Sequence, residues 1–198
     1  MRKLLTIAAA GTLAAFAATM SAAQEGAEAS VNRSYDVSGF DEISVVGPHR
    51  VVISVGPAFS VRAEGPQKTF DDTEVEVEDG RLKIHPVDDE RWERRWRDRE
   101  WRDYWEDYRA ATFHITLPSL EGVSLVGGGN MSVDRVEGAE FSASVAGSGD
   151  LDVAALRVGD ARFSIAGSGD VDITGPASCS VTKMGSGEVS CAGGGGTD

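Results

Sequence analysis

Histidine and cysteine are scarce in this chain, which has three His and two Cys among 198 residues. The histidines, His49, His85 and His114, are scattered along the sequence, and no two of them have the spacing of a metal-ligand pair. Structural and catalytic zinc sites draw their ligands from clustered Cys and His. We therefore expect no zinc site and no cofactor.

Basic residues are also in the minority, because 19 Lys and Arg face 32 Asp and Glu and give a formal net charge of −13. A surface of this charge repels phosphate backbones and anionic lipid headgroups. Nucleic acid and the bare bilayer are therefore not expected as partners. The charge is compatible with cationic partners or with solubility alone.

Long apolar runs are missing except at the N-terminus. Arg2 and Lys3 precede an uncharged apolar run, Leu4–Met20, which is followed by Ser21-Ala22-Ala23. This order predicts a secretory signal peptide over residues 1–23, cleaved after Ala23. A transmembrane anchor is the alternative, but the run is short and rich in Ala and Gly. We expect export to the periplasm, the medium or the cell surface, with no membrane insertion after cleavage.

The two cysteines, Cys179 and Cys191, lie within the last twenty residues. In an exported protein an isolated pair is most simply a disulfide. Both cysteines have the parity of core-facing residues and flank the turn that begins at Gly185, so a bond between them is geometrically plausible. A pair of free buried thiols is the alternative.

Glycine, in contrast, is abundant and periodic. Four glycine-rich turns begin at Gly127, Gly147, Gly167 and Gly185, and the offsets between them are 20, 20 and 18 residues. Two of these turns stand in nearly identical stretches, VAGSGDLDV and IAGSGDVDI. A fixed period of this size is typical of a solenoid in which each repeat stacks on the next.

Apolar and polar residues alternate on both sides of each turn, as in Phe163-Ser164-Ile165 before Gly167 and Val171-Asp172-Ile173 after it. Alternation with period two indicates strands, and the spacing leaves no room for a helix. We therefore predict an all-β fold, a parallel β-helix with coils of about twenty residues. Equivalent residues would lie about 4.8 Å apart, and Val133, Val153 and Ile173 would share one dry interior.

Upstream of the repeats, residues 73–86 read as strand, Asp-Gly turn and strand, which predicts a hairpin. Residues 111–120 form another alternating strand that leads into the repeats.

Residues 88–109 differ from the rest, because this stretch holds all four tryptophans, seven arginines and nine acids and has no Gly or Pro. Acid-to-arginine pairs at i, i+4 and an aromatic stripe at i, i+3, i+4, i+7 predict a charged, Trp-rich helical insert. A long, partly ordered hairpin extension is the alternative.

Exposed Trp and Tyr stack on sugars and are enriched at protein interfaces. The candidate ligand-binding residues are Trp92, Trp96, Trp101, Tyr104, Trp105 and Tyr108. They predict a protein or glycan partner, unless the stripe packs back on the strands.

The order of several motifs resembles a known family. The stretches FDEISVVGPHRVVISVG, LKI, FHITLPSLEGVSLVGGGN and the GSGD turns are similar to the putative auto-transporter adhesin, head GIN domain family. The resemblance runs from about Val37 to Cys191, and the predicted domain is 34–192 with the insert at 88–109. It implies a β-helical fold in an exported, mostly bacterial protein and no established catalytic residues.

Stacked repeats would place Asn130, Asp150, Asp170 and Glu188 in one ladder, with Asp152 and Asp172 in a second. Calcium accepts such oxygen ligands, but Asp and Asn after Gly are also good turn residues. The calcium-binding repeat has nine residues, in contrast to about twenty here. Whether the ladder binds a cation stays open, and no metal site is predicted.

No catalytic constellation emerges from the sequence, since the GSG turns lack the strand–elbow–helix setting of a nucleophilic serine. We therefore predict an exported, non-catalytic binding or adhesion-type module of the bacterial cell envelope. One alternative is a carbohydrate-active protein, which would need a groove that gathers acids with Arg157 or Arg162. The other is a purely structural envelope protein.

Overall fold

The computed structural model of the chain describes residues 30–87, 109–175 and 178–192. Within these ranges the chain forms fifteen strands and one short helix, α1, at Gln67–Asp71. The strands in chain order are β1 (Ser30–Tyr35), β2 (Glu42–Val46), β3 (Arg50–Val55), β4 (Ser60–Pro66), β5 (Thr73–Glu78), β6 (Arg81–Pro86), β7 (Thr112–Leu117), β8 (Gly122–Gly127), β9 (Asn130–Val133), β10 (Val136–Gly147), β11 (Asp150–Val153), β12 (Leu156–Gly167), β13 (Val171–Thr174), β14 (Cys179–Gly185) and β15 (Val189–Ala192).

The strands form two mixed sheets. The eight-stranded sheet has the order β1-β4-β7-β3-β9-β11-β13-β15, and the seven-stranded sheet has the order β14-β12-β10-β8-β2-β6-β5. Successive strands of the second half of the chain alternate between the sheets, because each glycine turn carries the chain from one sheet to the other. The inward side chains of both sheets form one hydrophobic core.

The glycine repeats set the local register. Leu151 pairs with Met131 and Val171, and Val153 pairs with Val133 and Ile173, all in parallel. These inward residues are at most 2% exposed. The prediction that Val133, Val153 and Ile173 share a dry interior is therefore confirmed.

The prediction of a parallel β-helix is nevertheless wrong, because the architecture is two mixed sheets and not a solenoid. Strand β4 runs antiparallel to both β1 and β7, and β5 runs antiparallel to β6. One cause of the antiparallel pairing of β5 with β6 is the short turn between them. Asp79 and Gly80, with φ of 50° and 78°, make the tight turn that reverses the chain, as the Asp-Gly signal predicts. The twenty-residue period governs only the chain after residue 127.

The predicted helical insert at 88–109 lies outside the described residues, except for Arg109, which is in neither a helix nor a strand. In the described part of the chain the helical segment is α1, which was not predicted from the sequence.

The described residues on both sides of the stretch 88–108 are held near α1. The backbone N–H of Val87 donates to the Asp72 carbonyl at 3.0 Å, and the Thr69 hydroxyl donates to the Arg109 carbonyl at 2.9 Å.

Successive glycine turns approach each other too closely for side chains. Gly147 and Gly167 have φ of 127° and 140°, a region that L side chains rarely adopt. A Cβ atom added to Gly167 would overlap the carbonyl oxygen of Gly147. The repeated GSG motif therefore exists because its first glycine needs both a positive φ and contact between backbones.

We expect Gly167→Ala to lower the free energy of unfolding by about 3 kcal/mol, because the substitution combines backbone strain with overpacking. The matched control is Gly128→Ala, whose added Cβ would lie 3.6 Å from the Ser148 hydroxyl, an ordinary contact. Urea unfolding of both variants measures the difference. Equal stability of the two variants would contradict this account of the turns.

Candidate functional site

The outward face of the seven-stranded sheet carries a column of hydroxyl side chains, which we call the serine face. Ser124 pairs with Ser44 and Ser144, and Ser164 pairs with Ser144 and Thr182. In β2, β8, β10 and β12 the residues on either side of the hydroxyl are buried in the core, because side chains alternate between the faces of a strand. Five strands therefore present one short polar side chain each.

The serine face lines a shallow hollow of about 460 Å³. Its floor includes Gly122 and Ser142, which are partners in the pairing of β8 with β10. Its rim includes Glu42 and Arg81 on one side and Arg162 on the other. The hollow exists because glycine and serine leave space between these longer side chains.

Two ion pairs fix the rim. The Arg81 Nε donates to Glu42 at 2.7 Å, and the Arg162 guanidinium donates to Glu140 at 2.8 Å. The hydrogen bond that Arg162 donates to the Glu140 carboxylate raises the pKa of Arg162 above its usual range, so this side chain stays charged. All four side chains are substantially exposed, which makes the pairs weak contributors to stability.

A second, acidic hollow of about 670 Å³ shares Glu42, Ser142 and Arg162 with the first. It arises from unequal strand lengths. Strand β10 begins at Val136, but its pairing with β8 starts only at Ser142. The intervening residues 137–140 are exposed and line the hollow together with Glu121.

The two hollows are lined by serine hydroxyls and, in the second hollow, by four glutamates. The side chains that line them in the described residues include several serines and no histidine to activate one. Arg157 and Arg162, the arginines considered for a carbohydrate-active site, are exposed on β12 and pair with Glu137 and Glu140. The acidic hollow does gather acids with Arg162, as that alternative requires.

The predicted ladder of Asn130, Asp150, Asp170 and Glu188 forms, and its carboxylates have a structural role. The backbone N–H of Asp170 donates to the Asp150 carboxylate at 3.1 Å, and that of Glu188 donates to Asp170 at 2.8 Å. The carboxylates of Asp150 and Asp170 thus each cap the following turn. Among the described residues no group of three or more His, Cys, Asp and Glu side chains is arranged to hold a metal ion.

The three histidines lie in three different environments. His49 is fully buried, and its Nδ1 accepts a hydrogen bond from the Ala111 backbone at 3.3 Å. The His85 Nε2 lies 3.3 Å from Glu76, and His114 is exposed on β7. Burial lowers the pKa of His49 to about 4, so its imidazole is neutral at pH 7.

Cys179 and Cys191 are joined by a disulfide, as the sequence predicts. The bond connects β14 of the seven-stranded sheet with β15 of the eight-stranded sheet. It therefore links the two sheets at one end of the core.

The aromatic candidates Trp92, Trp96, Trp101, Tyr104, Trp105 and Tyr108 lie outside the described residues. The hollow residues Glu42, Gly122 and Ser142 were not recognised from the sequence. The sequence did contain a partial signal for the serine face, since Ser124, Ser144 and Ser164 recur at equivalent positions of the repeat.

Comparison with known proteins gives one family match. The model of the family described as "Putative auto-transporter adhesin, head GIN domain" matches residues 39–195. No curated protein matches the chain. No helix in the described ranges is long and apolar enough to cross a membrane.

Three solved structures resemble the chain. A crystal structure of a putative adhesin from Bacteroides fragilis is 15% identical, covers 83% of this chain and 98% of its own, and has a TM-score of 0.49. A putative lipid binding protein from Parabacteroides distasonis is 18% identical, with coverage of 82% and 96% and a TM-score of 0.43. A putative adhesin from the same organism is 13% identical, with coverage of 84% and 98% and a TM-score of 0.37.

The buried His49 predicts a dependence of stability on pH. Its pKa is about 4 in the folded chain and about 6.5 in the unfolded chain. Between these values the unfolded chain binds the proton and the folded chain does not, so stability falls as pH drops from 6.5 to 4. The loss attributable to His49 is about 3 kcal/mol.

His49→Asn tests this, because the amide oxygen can still accept from Ala111 and does not titrate. We expect the stability advantage of the original chain over His49→Asn to shrink by about 3 kcal/mol between pH 7 and pH 4. Urea unfolding at both pH values measures it. The control His114→Asn removes an exposed imidazole and should keep the original slope, and an identical slope for His49→Asn would refute the assignment.

Proposed function

This chain belongs to the putative auto-transporter adhesin, head GIN domain family, and we propose on that premise that it is a non-catalytic binding module of the bacterial cell envelope. The resemblance noted in the sequence is thereby confirmed. The family name implies an extracellular or envelope location. A signal peptide at residues 1–23, removed to leave a domain at 34–192, fits that location and is part of the proposal.

The observation that carries the proposal is the open hollow lined by the serine face. Its volume is about 460 Å³, its lining includes Gly122 and Ser142, and Arg81 and Arg162 at its rim are paired with Glu42 and Glu140. Hydroxyl groups both donate and accept hydrogen bonds, so they suit a ligand that is itself rich in hydroxyl or amide groups. A glycan or an extended protein segment has this chemistry.

The charge of the chain narrows the range of possible ligands further. The chain carries a net charge of −13, and the second hollow is lined by Glu42, Glu121, Glu137 and Glu140. A polyanion would be repelled by the net charge of the chain and by the acidic hollow. The proposed ligand is therefore neutral or cationic.

The aromatic residues of 88–109 are proposed as a second contact region for the same partner. Trp and Tyr offer large, rigid contact areas that suit sugar faces and protein hot spots. Support comes from the sequence, which concentrates all four tryptophans in this segment.

A carbohydrate-cleaving activity is the second candidate, favoured by the acids that gather with Arg162 in the acidic hollow. Glycoside hydrolysis needs a pair of carboxyl groups that act as acid and base or nucleophile. Three of the four acids here, Glu42, Glu137 and Glu140, are engaged by arginine guanidinium groups. Binding without cleavage is the better supported role.

The hollow can be tested by filling it. We expect Ser142→Tyr to weaken capture of envelope glycans or envelope proteins by at least about tenfold, because the phenol would occupy the floor. The matched control is Ser132→Tyr, an exposed serine on the outer face of the other sheet. Binding to fractionated envelope polysaccharide and to envelope protein is measured on the immobilised chain. Equal binding by the two variants would exclude the hollow.

The aromatic segment needs a separate test. We expect replacement of residues 88–108 by a short Gly-Ser linker, which keeps the Arg109 carbonyl that Thr69 contacts, to leave the melting temperature unchanged and to reduce the same capture. Circular dichroism and the immobilised-chain assay measure the two quantities. A large fall in melting temperature would show instead that the segment packs on the fold, and undiminished capture would remove it from the proposed site.

A further inference from the structure

The last strand of the seven-stranded sheet breaks the pattern of the repeat at one inward position. In four preceding strands the residue two before the glycine turn is a buried aliphatic residue, and the strands pair in register at this position. These residues are Val45, Leu125, Val145 and Ile165, each at most 2% exposed. In β14 the residue paired with Ile165 is Lys183.

Lys183 stands at an open end of the fold. Strands β14 and β15 are the terminal strands of their sheets, and in the described part of the chain nothing pairs with them on the outer side. Val181 and Met184 of β14 are 43% and 69% exposed, and Lys183 is exposed as well. An unpaired edge with apolar side chains is a template for pairing with another chain.

The repeat makes this edge especially suited to strand addition. Strand β14 pairs with β12 through seven consecutive residues, and β15 pairs with β13 through four. The disulfide between Cys179 and Cys191 holds the two terminal strands together. A second copy could therefore place strands against both sheets at once, unless something opposes it.

We propose that Lys183 prevents this end from pairing with a second copy of the chain. A strand added beyond β14 would bury the side chain at this inward position, just as β14 covers Ile165. Burying an unpaired ammonium group is strongly unfavourable. Inward-pointing charges on edge strands are one of the devices by which proteins avoid edge-to-edge association.

The opposite end of the molecule carries a similar device. Strand β1 is the other terminal strand of the eight-stranded sheet, and Arg33 in β1 pairs with the buried Ala63. Arg33 donates to the Phe70 carbonyl at 3.0 Å and lies over the Phe70 ring. Because Arg33 has these partners within the chain, its replacement would disturb packing, and Lys183 is the cleaner residue to test.

The test replaces Lys183 by valine, which restores the aliphatic pattern of the repeat. We expect sedimentation velocity of the disulfide-intact chain to show a monomer for the original sequence and concentration-dependent self-association for Lys183→Val. The apparent association constant should rise by about tenfold or more. Circular dichroism and non-reducing mass spectrometry confirm that the fold and the disulfide are kept.

Two variants control for charge and for added apolar surface. Lys183→Arg keeps a cation at the inward position and should stay monomeric. Thr182→Val adds a similar apolar side chain to the outward face of the same strand and should also stay monomeric. The proposal is overturned if Lys183→Val remains as monomeric as the original chain, if Thr182→Val associates equally, or if the original chain already associates through this end.

Discussion

The structure depends on the close approach of successive glycine turns. Because Gly147 and Gly167 bring backbone against backbone, the strands on both sides of each turn pair in register across both sheets. That register stacks the inward residues of successive strands on one another, as in the column of Val45, Leu125, Val145 and Ile165. It also brings every outward residue onto its equivalent, which is why hydroxyls or carboxylates at one position of the repeat become continuous columns.

The candidate site is a local departure from that regularity. Strand β10 has twelve residues and β8 has six, so the two strands cannot cover each other along their whole length. The uncovered part becomes the acidic hollow, and Gly122 at the start of β8 leaves space in the adjoining first hollow. A perfectly regular stack of equal strands would offer only a flat face. The same backbone pairing that stabilises the fold therefore determines where the fold is open.

The strands, turns and inward residues could be predicted well from the sequence, whereas the order of the strands in the sheets could not. Periodicity identified the inward residues, such as Leu151 and Val171, and the Asp79-Gly80 hairpin, because these depend on alternation and on turn chemistry. It could not predict that β7 lies between β3 and β4, since that pairing joins segments separated by residues 88–109. The acidic hollow was missed for a related reason: it depends on the relative lengths of paired strands, which a repeat spacing does not specify.

Charge placement connects the fold with its proposed role. Acidic residues are in excess over the whole chain. Several of their carboxylates accept hydrogen bonds from backbone N–H groups, as Asp150 does from Asp170. The cations have more specific positions: Arg81 and Arg162 stand at the rim of the hollow, and Lys183 stands at the open edge. A chain that must bind one partner without polymerising needs an accessible face and protected strand ends. Placing scarce cations at those locations meets both requirements without altering the core.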